Sequence, residues 1–147
     1  MNLAIFQPDI PQNTGAIIRS CACFNVGLDI IHPASFALSE KSLNRVAMDY
    51  VNKLNITEHN SWPDYKEKIS GRIILLSTHG KIEHTSIKFN LDDNLLVGRE
   101  SAGVPDYVHR EVDEIIRIPM QKDTRSLNVS VASAIVMSEA NRQLNLV

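Results

Sequence analysis

The sequence predicts an α/β domain built around a mostly parallel sheet flanked by helices, and three observations carry that expectation. Short, largely apolar runs recur at 3–6, 28–31, 72–78, 94–98 and 115–118, each met by a proline or glycine at or just after its end, as strands covered on both faces are. Between these runs, apolar residues repeat with helical spacing, so strand and helix alternate along the chain. At 147 residues, the whole chain, 1–147, fits one domain of the usual size of about 100–150 residues.

In order, residues 3–6 form a buried strand ended by Pro8. Asn13 and Thr14 are suited to cap the helix that follows, whose Ile17, Ile18, Cys21 and Phe24 lie on one face. Arg19 stands off that face, three or four residues from Gly15, Ala16, Ala22 and Cys23, all small. A guanidinium on so shallow a floor marks either a ligand site or a solvated surface. Residues 28–31, before Pro33, read as a second strand. Ser39 caps a helix reaching Val51, with Leu43, Val46, Ala47 and Tyr50 inward and Lys41 and Arg45 on a solvated face. A short strand is expected at 54–56, and Ser61, Pro63 and Asp64 open another helix. The β-branched run at 72–78 reads as a central strand, and 94–98 and 115–118 read likewise, with Pro105 opening a helix between them. The last helix spans about 128–143 and buries Val129, Ala132, Ile135, Val136 and Ala140.

Composition excludes several function classes. The 15 basic against 17 acidic residues leave a net charge of −2, with a pI near 6.2. A sequence-blind nucleic-acid binder is usually far more basic, although a local basic patch remains compatible with docking one RNA site. No run approaches the about 20 apolar residues of a membrane span. The N-terminus lacks the basic region of a signal peptide. Cys21 and Cys23, the only cysteines, would point about 200° apart on a helix and share neither a disulfide nor a metal. Both are expected to be reduced packing residues of a cytoplasmic protein. The five histidines are scattered without ligand spacing, so no metal site is expected.

Function concentrates in three loops that leave strands. The first is 11–19, the second Gly98-Arg99-Glu100-Ser101-Ala102-Gly103-Val104-Pro105, and the third runs from Pro119 to Ser130. The second has the glycine spacing of a phosphate-binding loop, but Val104-Pro105 stands where lysine and a hydroxyl must bind phosphate and magnesium. Arg99 occupies the place of the first glycine of a nucleophile elbow around Ser101. The third loop gathers Ser126, Asn128 and Ser130 with Lys122 and Arg125 at a helix start. One capping residue is enough there, so the surplus of polar groups suggests a polar ligand.

These three motifs, in this order and over nearly the whole chain, resemble those of the SPOUT-class RNA methyltransferases, most closely the small TrmL-like subgroup. PDIPQNTGAIIRSCA is similar to the family's first motif, LLVGRESAGVP to its second and RIPMQKDTRSLNVSVASAIVMSEANRQ to its third. The second departs from the common Pro-Glu-Thr-Arg-Gly form while keeping Glu100 and both glycines. The resemblance implies a C-terminal trefoil knot and a bent S-adenosylmethionine as cofactor. It also implies a homodimer that methylates the ribose 2′-hydroxyl of the wobble nucleotide of tRNA, without an appended RNA-binding domain. It assigns Leu76, Gly98, Ile118 and Ser126 to the cofactor, and Asn13, Arg19, Glu100 and Asn128 to the catalytic pocket. Since guanidinium has a pKa above about 12, Arg19 is better suited to bind phosphate and stabilise a developing alkoxide than to remove a proton. Other readings are a 2′-O-methyltransferase of the same fold acting on another tRNA position or on rRNA, and a non-catalytic RNA- or cofactor-binding module.

Overall fold

In the computed structural model, which describes residues 1–146 apart from the side chain of Glu40, every paired strand runs parallel to its neighbours. The strands are β1 (Asn2–Phe6), β2 (Gly27–Ile31), β3 (Ile56–His59), β4 (Ile73–Leu76), β5 (Ile82–Glu83), β6 (Asn94–Val97) and β7 (Glu114–Arg117). They form one seven-stranded sheet in the order β3-β2-β1-β6-β4-β7-β5. Helices α1 (Pro11–Phe24), α2 (Glu40–Ala47), α3 (Trp62–Lys68) and α4 (Asp106–Glu111), with a 3-10 helix at Met48–Lys53, lie in the connections, and α5 (Val129–Leu144) follows the last strand. Parallel strands need such crossovers, and helices on both faces are why the strands are apolar in successive residues.

Alternation along β1 sorts the core into two layers. Leu3 and Ile5 face Ile17, Ile18 and Cys21 of α1, Leu43 and Ala47 of α2, and Val136, Met137 and Ala140 of α5. Ala4 and Phe6 face Trp62 and Tyr65 of α3 and Val108 of α4. Register strengthens the first layer: Leu3 stands opposite Leu28 on one side and Leu95 on the other, all three fully buried. Each such side chain contributes about 1.5–3 kcal/mol by leaving water. Buried carboxylates in the core are paired. Asp29 accepts from Asn2 Nδ2 at 3.0 Å and from the His59 ring at 2.7 Å, and buried Asp93 takes the Arg72 fork at 2.9 and 2.8 Å. Arg72, Asp93 and Asn2 belong to the amino ends of the strands, leaving the carboxyl ends to the loops that carry the motifs.

Several local expectations change. The first helix starts at Pro11, with Ile10 extended before it and no side-chain cap. Proline suits that place because it has no N–H to leave unpaired, and the Asn13 side chain is drawn elsewhere. The helix expected over 39–51 stops at Ala47. Met48 takes φ 54°, which breaks the helical ladder, and the 3-10 helix turns back toward α1. The strand expected at 54–56 lies at Ile56–His59 instead, and the two-residue β5 is too short to show a period. In α5, Ser133, Met137 and Asn141 join Val136 and Ala140 as buried residues, while Val129, Ala132 and Ile135 are half-buried. Of the cysteines, only Cys21 packs; its Sγ lies 3.8 Å from Met137 Sδ, and burial pushes the thiol up to about 12. Cys23 is exposed, and both are free thiols.

Candidate active site

A cavity of about 780 Å3 opens beyond the carboxyl ends of β4, β6 and β7, where ligands sit in open parallel sheets. Leu76 at the end of β4 and Ile118 just past β7 are half-buried in its wall, Gly98 follows β6, and Ser126 comes from the exposed loop before α5. All four expected cofactor residues therefore meet in one place. Asn13, Glu100 and Asn128 line the same cavity. Its size falls within the range of about 300–1,000 Å3 usual for small-molecule sites.

The three polar residues are joined in a directed chain. Asn128 is the N-cap of α5, its Oδ1 accepting from the Ser130 amide at 2.9 Å and the Val131 amide at 3.4 Å. With its oxygen so committed, its Nδ2 donates to Asn13 Oδ1 at 2.9 Å, across 115 residues. Asn13 Nδ2 in turn donates to Glu100 Oε1 at 3.0 Å, and Glu100 Oε2 accepts from the Asp9 amide at 3.1 Å. A carboxylate can only accept, so it orients both amides. Burial first, then the neighbouring Asp9 side chain, raises the Glu100 pKa above its ordinary value.

Asp9 is a site residue that the sequence did not reveal. Its carboxylate accepts from the Glu100 amide at 3.2 Å, the Ser101 amide at 3.3 Å and the Ser101 hydroxyl, tying the second loop to the first. The adjoining Glu100 side chain, followed by the Ser101 donors, holds Asp9 below the usual carboxylate range. No local pattern could signal this contact, whose partners are 91 residues apart.

Gly98 is also required by the packing of its own loop. A Cβ there would lie 2.4 Å from the Gly103 carbonyl carbon and 2.8 Å from the Val104 amide nitrogen. The second loop closes on itself through paired Arg99 and Gly103 backbone bonds of 3.2 and 2.8 Å, and Gly103 adopts φ 64°. Gly98 thus permits the hairpin-like turn that presents Glu100.

Arg19 is the expected site residue that the cavity does not include. It lies on the exposed side of α1, its guanidinium 5.2 Å from the Tyr50 ring centroid. The small-residue floor is partly roofed: a Cβ on Gly15 would meet Val46 Cβ at 2.7 Å, so α2 docks directly on α1 there. Among the described residues, no three His, Cys, Asp or Glu side chains gather as a metal would require, and no helix is long and apolar enough to cross a membrane.

Comparison with known proteins identifies relatives that span the chain. The SpoU rRNA Methylase family matches residues 1–138. A tRNA (cytidine(34)-2'-O)-methyltransferase of Beijerinckia indica is 44% identical over 145 residues, covering 97% of this chain and 91% of that protein. A solved structure reported under "Structural insights into the 2-OH methylation of C/U34 on tRNA" superposes with a TM-score of 0.93 at 34% identity, covering 98% of this chain and 95% of the other. An AdoMet-bound rRNA methyltransferase from Sinorhizobium meliloti superposes with a TM-score of 0.86 at 25% identity, covering 97% of this chain and 56% of its own.

Proposed function

The chain belongs to the SpoU rRNA Methylase family, and from that premise we propose that it transfers a methyl group from S-adenosylmethionine to the ribose 2′-hydroxyl of the wobble nucleotide in tRNA. The observation that carries this reading is the convergence of Asn13, Glu100 and Asn128 with Leu76, Gly98, Ile118 and Ser126 on one cavity. The relatives that match almost end to end act on position 34 of tRNA by their names, which favours tRNA over rRNA as substrate.

The residues present suit the cofactor. Leu76 and Ile118 frame an apolar slot for adenine between two strand ends, and the cavity also holds polar groups at the α5 start, where Ser126 and Asn128 sit. When bound, S-adenosylmethionine supplies a methyl group already activated by its sulfonium, so the protein's task is alignment and charge stabilisation. Asn13 and Asn128 each keep a second amide hydrogen beyond the chain described above, and these can hold ribose oxygens in line. Glu100 fixes the orientation of both amides. Arg19 binds phosphate and stabilises the alkoxide as the 2′-hydroxyl loses its proton.

Arg19 can do this only if another copy brings it to a cavity. Ile10 just before α1, Leu127 just before the cap of α5 and Val131 in the first turn of α5 are exposed. A homodimer packed through these helices would cover that apolar surface and place one protomer's Arg19 beside the cavity of its partner. On this reading the segment from β6 to α5 is the family's trefoil knot, and the two free thiols suit the cytoplasm, where tRNA is modified. The test is incubation of the protein with labelled S-adenosylmethionine and total tRNA. Label recovered as a 2′-O-methyl nucleoside from position 34 is expected. Label at another position or only in rRNA would move the substrate, and binding without transfer would make the chain a module.

A further inference from the structure

The function above leaves the arginines of the cavity wall without a task, and Arg99 is the more enclosed of them. Two arginines line the cavity; Arg125 is exposed, whereas Arg99 is half-buried. Its Nε is buried with no hydrogen-bond partner among the described residues. No described carboxylate forms an ion pair with it. Glu100, next to it in sequence, and Asp9 are already committed: Asp9 to the Glu100 and Ser101 amides, Glu100 to the Asp9 amide and Asn13. The guanidinium lies 5.8 Å from the centroid of the fully buried Phe6 ring. A contact with an aromatic face gives the guanidinium N–H groups no hydrogen-bond acceptor of the ordinary kind. Its backbone is pinned by the two-bond pairing with Gly103, so the stretch of loop that carries the guanidinium is held in place.

A half-buried, unpaired guanidinium is unfavourable unless something answers it. The ligand chemistry that matches a planar fork is a pair of anionic oxygens. We propose that Arg99 is a ligand-binding residue of this cavity, taking either the α-carboxylate of the cofactor or a phosphodiester of the tRNA strand. The inference rests on the methyltransferase reading and deepens it, because both candidate anions belong to that reaction. In this chain the second motif carries arginine at position 99 and alanine at 102, so the proposed anchor is a property of this sequence's own loop.

The test compares wild type with Arg99→Met, which keeps an apolar stem against Phe6, and Arg99→Lys, which keeps the charge without the fork. Calorimetry would measure S-adenosylhomocysteine against 5′-methylthioadenosine, which lacks the carboxylate, and tRNA binding would be followed at several salt concentrations. If the anion is the carboxylate, Arg99→Met weakens S-adenosylhomocysteine by about 10-fold or more while 5′-methylthioadenosine is unchanged. If it is a phosphodiester, both small ligands bind as before, tRNA binds more weakly and the log–log salt slope falls by about one. Arg99→Lys should recover only part of either loss. A purely structural arginine would change both small ligands equally. An unchanged preference between them, together with an unchanged salt slope, overturns the assignment whatever the melting temperature does. If wild type itself binds neither S-adenosylhomocysteine nor tRNA, the proposed function falls and this assignment with it.

Discussion

Glu100→Gln changes one atom of the chain that joins the three loops, and the structure gives its consequence. The carboxylate accepts on both oxygens, from the Asp9 amide at 3.1 Å and from Asn13 Nδ2 at 3.0 Å. A glutamine of the same shape accepts on one only, so one donor loses its partner. Turning over the Asn13 amide does not help, because its nitrogen would then face Asn128 Nδ2, whose own oxygen is held by the Ser130 and Val131 amides. A donor left unpaired in a buried site costs about 1–3 kcal/mol. Partial exposure and removal of a desolvated charge favour the lower part of that range, about 1–2 kcal/mol. For a domain of this size, each kcal/mol moves Tm by about 2–4 °C, so a fall of about 2–8 °C is expected. Methyl transfer should drop about 10-fold or more as Asn13 and Asn128 lose their orientation. Asn13→Asp alone sets two carboxylates against each other and is also destabilising. In the double variant, every donor again finds an acceptor: the new carboxylate takes the glutamine amide and Asn128 Nδ2. Its Tm loss should therefore be smaller than the sum of the two single losses, by about 1–2 kcal/mol of coupling. Thermal melts of the four proteins, with transfer rates on tRNA, measure this directly. Additive losses, or a Glu100→Gln protein with wild-type Tm and rate, refute the directed chain.

Arg19→Ala should leave Tm nearly unchanged, since the side chain is exposed, while transfer falls about 100-fold; Arg19→Lys should rescue little. Wild-type rates in both variants would make it a solvated surface residue, and a lower Tm with dissociation would make it a structural pair. Gly98→Ala should disturb the second loop itself, because the added carbon would lie 2.4 Å from the Gly103 carbonyl carbon. Calorimetric affinity for S-adenosylhomocysteine should fall, and wild-type affinity in a folded variant would remove Gly98 from the site. Glu139 offers a check on pH: the Arg142 and then the Gln143 side chain hold its pKa at about 2. A depressed carboxylate stabilises the fold above its unfolded value and loses that contribution as pH falls through its folded value. Tm measured from pH 5 down to about 2 should therefore fall more steeply for wild type than for Glu139→Gln; parallel curves would contradict the assignment.

Particular residues show how far the sequence reaches. The apolar runs of β1, β4, β6 and β7 were legible because burial on both faces demands successive apolar side chains, a requirement local in the chain. The same holds for Ile17, Ile18 and Cys21, whose spacing places them on one helical face. The surplus of hydroxyls and amides after β6 and β7 was legible too, because helix capping accounts for few of them. Those signals located the site and, with the three motifs, its family. The break after Ala47 was not legible, since Leu43, Val46, Ala47 and Tyr50 share helical spacing and nothing nearby forbids its continuation. It accompanies tertiary contacts: Val46 packs on Gly15, and the Tyr50 ring lies 5.2 Å from the Arg19 guanidinium.

The sequence by itself determined which segments are buried, which loops are chemically unusual and that strands and helices alternate. Only the tertiary structure decided which loops meet. Strand β6 inserts between β1 and β4, and that order brings Asp9 to Glu100 and Asn13 to Asn128 across 91 and 115 residues. Periodicity records whether a residue faces core or solvent, because that depends on the backbone repeat. It does not record strand order, which is set by the packing of both helical layers at once. For the same reason the sequence could single out Arg19 but not show that it lies outside its own chain's cavity, on the exposed side of α1.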